Sequence, residues 1–162
     1  NPSIVIDRRN YLLELYSDTV LVKKYNAVFG RNNGKVKLSK SDLITPIGKY
    51  HICRIDTNNI YYKKLLLNYP NTVDAAEALR LKMITKEEFL TISQSIRNGG
   101  CSFDKTILGS DIGIQGIGEY NLIFKNLPFA FNWTNGSIAI SNESIDELLS
   151  VVNVKTKVTI KN

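Results

Sequence analysis

The chain has 162 residues, 43% apolar and 22% charged, with a formal charge of +6 from 21 Lys plus Arg against 15 Asp plus Glu. That composition excludes disordered, collagen-like and disulfide-dense classes, and the length predicts one domain, 1–162, burying roughly 70% of the surface its unfolded chain exposes. The cations are scattered in pairs (Arg8-Arg9, Lys23-Lys24, Lys63-Lys64), which reads as a surface facing an anionic environment such as a cell wall, not as a nucleic-acid stripe, and no apolar run is long enough to span a membrane.

Period-2 alternation marks the first thirty residues: Ile4 and Ile6, then Tyr11, Leu13 and Leu15, then Val20 and Val22 with Tyr25, Ala27 and Phe29. Polar breaks at 8–10 and at Ser17-Asp18 divide them into three expected antiparallel strands joined by short turns. Residues 30–42, GRNNGKVKLSKSD, form a polar connection, after which TPIGKYHICRI begins another strand punctuated by Pro46 and Gly48. Residues 73–83 are rich in Ala and Leu, and Thr85 stands three places before Glu88, the spacing of a capping box, so two helices are expected, ending near Asn98-Gly99-Gly100. Beyond them the pattern predicts a short strand at 112–114, a loop, a strand at 137–140, a helix at 143–152 capped by Ser141 or Asn142, and a last strand over 157–161. The fold class is mixed α+β, rich in β, without a βαβ rhythm.

Cys53 and Cys101 could pair in an oxidising compartment. Taken singly, Cys53 reads as a small core residue and Cys101 as a loop thiol with nothing beside it to lower its pKa. His51 and Cys53, two apart on one strand face, form a conceivable Cys-His dyad, although His51 reads more simply as a strand histidine packed near Tyr50. Two cysteines and one histidine supply no structural zinc tetrad, so no metal site is expected. The chain opens on Asn1-Pro2 without a methionine, a start compatible with removal of a leader segment.

Taken in order, IVIDRRNYLLELY, VLVKKYNAVFG, TPIGKY, IGIQG, NWTNGSIAISNESIDELL and the closing KVTI resemble the L,D-transpeptidase catalytic domain, the YkuD-type family, over nearly the whole chain. The terminal motif carries the resemblance furthest. Where the family reads Trp-Thr-x-Gly-Cys-Ile-Ala-Leu-Ser-Asn, this chain has Trp133, Thr134, Gly136, Ile138, Ala139, Ser141 and Asn142 in register. The resemblance implies a β-sandwich-like assembly with a two-helix insertion and a C-terminal helix and strand, and a groove acting on peptidoglycan stem peptides. It also implies no metal or organic cofactor and a location in the periplasm or cell envelope.

The family's chemistry uses a cysteine thiolate and a histidine that takes its proton, and here Ser137 stands at the cysteine's position and Gln115 at the histidine's. A serine hydroxyl needs a base within hydrogen-bond reach, and a glutamine amide has none to offer, so the pair is expected to be silent by that route. Gly116, Gly136 and the amides around Ser137 remain as candidates to cradle a carbonyl oxygen, with Trp133 and Thr134 lining the groove. Loss of both dyad members favours natural degeneration over a deliberate Cys→Ser replacement, with a serine-based chemistry third. The expected function is therefore an inactive envelope protein that binds peptidoglycan peptides or a partner protein. The alternative is an active L,D-transpeptidase or L,D-carboxypeptidase seen as an inactivated variant.

Overall fold

The computed structural model describes residues 1–102, 106–119 and 129–162. Its strands are β1 (Pro2–Asp7), β2 (Leu12–Ser17), β3 (Val20–Asn26), β4 (Gly48–Asn59), β5 (Tyr62–Leu67), β6 (Gly113–Gln115), β7 (Ile138–Ala139) and β8 (Lys157–Lys161). The helices are α1 (Thr72–Arg80), α2 (Lys86–Arg97) and α3 (Asn142–Leu149). Among the described residues no helix is long and apolar enough to cross a membrane. The loop expected between 114 and 137 lies outside the described residues over 120–128.

The alternation of the first thirty residues produces what it promises. β1 and β2 pair antiparallel with Ile4 opposite Leu15 and Ile6 opposite Leu13, and these four side chains face the core together. β3 continues the meander, but its strand ends at Asn26, short of Phe29. The reason is a change of partner: Val28 leaves β2 and exchanges both backbone hydrogen bonds with Ala139 of β7, at 3.0 and 2.9 Å.

That exchange brings the two ends of the sheet together. The strands run in the order β3-β2-β1-β8-β4-β5-β6-β7. The twelve-residue β4 is the pivot, since Gly48–His51 pairs with β8 while the stretch from Ile52 onward pairs with β5 across two register shifts. The sandwich-like expectation is met by one sheet folded on itself around a core that includes Ile6, Ile52, Leu65, Ile114 and Ile138, closed by Ile145 and Leu148 of α3. Each such buried side chain contributes about 1.5–3 kcal/mol.

The sequence pattern assigns no element to 62–67, where the structure has β5. Leu65, Leu66 and Leu67 are all buried because β5 lies inside the sheet between β4 and β6, and a strand buried on both faces shows no alternation.

The two expected helices are present. Asn71 caps α1 by accepting from the amides of Val73 and Asp74, while the Asp74 carboxylate accepts from the Asn71 amide. α1 stops at Arg80 and not at Met83, because Lys82 takes a left-handed conformation (φ 59°) that ends the ladder. α2 has the capping box read from Thr85 and Glu88. The pair packs Ala75, Ala78, Ile84 and Ile92 with Leu108 into a second, smaller core.

One reading is corrected here. Cys53 is not a free core residue, nor is Cys101 a loop thiol: they form a disulfide, with Cα atoms 5.3 Å apart, that ties the end of the helical insertion to β4. On β4, Tyr50 and Ile52 face the core, which turns His51 and Cys53 to the outer face. With its sulfur bonded to Cys101, Cys53 has no thiolate to offer, and the conceivable dyad with His51 falls away.

Candidate ligand groove

A groove of about 680 Å³ opens where the loop over 30–45, the stretch before β6 and the motif before β7 meet. The outer loop is long and polar, and charged groups inside it hold its shape. The Asp42 carboxylate accepts from Lys37 Nζ at 2.7 Å and from the amides of Leu38, Ser39 and Ile44 at 2.7, 2.9 and 3.0 Å. Burial pushes the Asp42 carboxyl upward, but these hydrogen bonds outweigh it and hold its pKa below the ordinary value. Arg8, whose guanidinium is held down in pKa by burial, donates to Thr45 O and Gly34 O at 2.9 Å each. Thr45 Oγ1 in turn accepts from the Gly30 amide at 2.9 Å, closing the base of the loop.

The motif from Asn132 to Ser137 is pinned to that base. Asn132 Oδ1 accepts from the Phe29 amide at 2.9 Å, and Thr134 bridges to Gly30. Thr134 Oγ1 donates to Ser137 O at 2.6 Å and accepts from the Gly136 amide at 3.2 Å, closing a tight turn on itself. Gly136 sits at φ 121°, where a Cβ would come within 2.9 Å of Ile44 O, so only glycine fits.

Four of the sequence-derived residues, Ser137, Gln115, Trp133 and Thr134, line the groove together. Gln115, 2% exposed at the end of β6, is opposite Lys64 on β5 and Ala139 on β7. Ser137, 6% exposed, accepts from the Gly113 amide and donates to Asp111 O, each at 3.3 Å. The acceptor of its proton is thus a peptide carbonyl, which has no basicity to activate it.

Gly116 and Gly136 are placed differently from the expectation of oxyanion donors. The Gly116 amide is spent on Lys63 O at 3.0 Å, and the Gly136 amide on Thr134 Oγ1. Gly116 is required by packing, since a Cβ there would meet Asn142 Oδ1 at 2.6 Å and Tyr61 O at 2.7 Å. Asn142 Oδ1 also accepts from the amides of Ile117 and Gly118, while Ser141, not Asn142, caps α3.

The groove also holds residues the sequence reading did not single out. Tyr61 stacks on Trp133 with ring centroids 5.8 Å apart and planes tilted by 51°. Arg31 Nε donates to Trp133 O at 3.0 Å, and Lys40 lies on the same wall. Lys64 points into the floor, with Nζ 2.9 Å from Asp111 Oδ2. The available signal for Lys64 was a cation placed directly before three leucines, unusual for a solvated run. Among the described residues no three metal-ligating side chains converge.

The model of the YkuD family, the L,D-transpeptidase catalytic domain, matches residues 1–160. No curated protein matches the sequence. Among solved structures, the helical cell shape determining protein Pgp2 from Campylobacter jejuni is similar at 18% identity and a TM-score of 0.65, covering 99% of this chain and 47% of that one. Bd1075 from Bdellovibrio bacteriovorus is similar at 18% identity and a TM-score of 0.58, with 99% and 47% covered. An L,D-transpeptidase from Mycobacterium smegmatis is similar at 10% identity and a TM-score of 0.56, with 99% and 58% covered. The chain thus spans about half the length of these proteins.

Proposed function

Because the chain belongs to the L,D-transpeptidase catalytic domain family, we propose that it is a binding module of the bacterial cell envelope whose groove holds peptidoglycan stem peptides without transferring them. In this reading residues 1–162 act as one domain, and Ser137 and Gln115 occupy the positions of the family's thiol and imidazole. The observation that carries it is the state of Ser137: its hydroxyl is committed to the Gly113 amide and the Asp111 carbonyl, with no base as its acceptor. The groove beside it keeps its aromatic wall of Tyr61 and Trp133 and its volume, so binding survives where proton transfer does not. A disulfide between Cys53 on β4 and Cys101, four residues beyond α2, supports an oxidising compartment outside the cytoplasm. The cell-shape role of the Campylobacter protein supports an envelope setting for the same fold.

The test is co-sedimentation with isolated sacculi. Retention that is lost on Trp133→Ala supports the reading; no retention sinks it.

The match between the motif from Trp133 to Asn142 and the family's active-site frame favours a second reading, in which the parent activity is intact and this chain is an inactivated variant. Gln115→His with Ser137→Cys then yields a thiolate that a carbapenem acylates, seen as a mass adduct on the intact protein. Absence of the adduct rejects this second reading.

A further inference from the structure

We propose that the groove selects ligands that end in a carboxylate, with Lys64 as the group that binds it and Asp111 as its exchangeable stand-in when the groove is empty. The inference rests on the reading of the groove as a peptide site and names the ligand feature that site recognises.

The first support is an inequality within one ion pair. The Lys64 side chain is 4% exposed and that of Asp111 71% exposed, although their charged atoms are 2.9 Å apart. An ammonium enclosed to that degree needs an anion beside it, because an unpaired buried charge has lost its hydration with nothing to replace it. The lysine, set in an inner strand, opens only onto the floor of the groove, whereas the aspartate lies on a loop with its side chain largely hydrated. Swinging Asp111 away therefore costs little in desolvation, provided another anion takes its place.

The second support is where the cation sits. Gly113 separates it from Ser137: a Cβ on Gly113 would lie 3.0 Å from Lys64 Cε, while the Gly113 amide donates to Ser137 Oγ. The positive charge thus borders the spot where a bound acyl chain would lie against Ser137. Asp111 is tied to the same spot through its backbone, since its carbonyl accepts from Ser137 Oγ, and it holds a left-handed conformation (φ 64°) that aspartate tolerates better than most residues. Ser137 therefore orients the stand-in without reacting.

The third support is the balance of charge. Among the described lining residues Arg31, Lys40 and Lys64 stand against one acid, Asp111. An incoming carboxylate meets a field of the right sign, and it keeps Lys64 paired while Tyr61 and Trp133 take up the apolar part of the chain.

Titration calorimetry of the intact protein with a stem tetrapeptide, as the free acid and as the C-terminal amide, tests this. The free acid binds about tenfold or more tighter than the amide. Lys64→Met removes that difference, and Asp111→Asn, which withdraws the competing carboxylate, tightens the free acid while leaving the amide unchanged. Should Lys64→Met fail to fold, the Asp111→Asn arm decides. Equal binding of acid and amide, or no gain on Asp111→Asn, overturns the inference and leaves the peptide-site reading standing. Binding of neither peptide overturns both.

Discussion

Breaking the Cys53–Cys101 bond is the most quantitative perturbation the fold offers. The two residues are 48 apart in sequence, and the loop they close contains the end of β4, β5, α1 and α2. The chain-entropy relation for a loop of that length gives a loss of about 13–14 cal/mol/K in the denatured chain, or about 4 kcal/mol at 25 °C. Measured losses on removing native disulfides span about 2–5 kcal/mol. In a chain of this size each kcal/mol corresponds to about 2–4 °C, so Cys53→Ser with Cys101→Ser lowers Tm by about 8–16 °C. The assay is urea unfolding of the oxidised protein and the double variant, followed by circular dichroism, with the midpoint and slope compared. Thiol titration of the unreduced, unfolded protein should find no free cysteine. Two titratable thiols, or a stability loss below about 1 kcal/mol, would refute the claim that this crosslink staples the insertion to β4.

Three further outcomes follow from the same contacts. Burial, set against hydrogen bonds from Asn71 and Tyr50, raises the Asp74 carboxyl from 3.8 to about 6. Its folded pKa lies above its unfolded one, so its contribution is present in full below pH about 3.8 and is lost as pH rises through about 6. The shift corresponds to at most about 3 kcal/mol, and Asp74→Asn should remove that part of the slope when urea midpoints at pH 4.5 and 6.5 are compared; parallel profiles for the two proteins would count against it. Gly136→Ala places a Cβ 2.9 Å from Ile44 O at a φ of 121°, and a thermal melt should show a loss of about 1–3 kcal/mol together with weaker peptide binding. Arg8→Met strips Thr45 O and Gly34 O of a buried charged donor, and should loosen the loop over 30–45 by about 2 kcal/mol, read as faster amide exchange at Gly30.

Most of the frame was legible because it is local. The alternation in β1 and β2 and the capping box at Thr85 and Glu88 each depend on neighbours a few residues away, and each stands where the pattern put it. The candidate site was legible only in part. Ser137, Gln115, Trp133 and Thr134 meet in the groove, but their hydrogen-bond partners were invisible, and so was the commitment of the Gly116 and Gly136 amides to Lys63 and Thr134.

The amino-acid sequence by itself determined the family, the meander that opens the chain, the helices α1, α2 and α3 and the motif that carries Ser137, since those are matters of short-range periodicity and of side-chain identity at fixed spacing. Only the tertiary structure decided that 62–67 is an inner strand, that Cys53 meets Cys101, and that Lys64 is buried against Asp111. Each of those joins residues 40 or more positions apart or depends on burial from both sides, and burial is a property of the folded sheet and not of the segment.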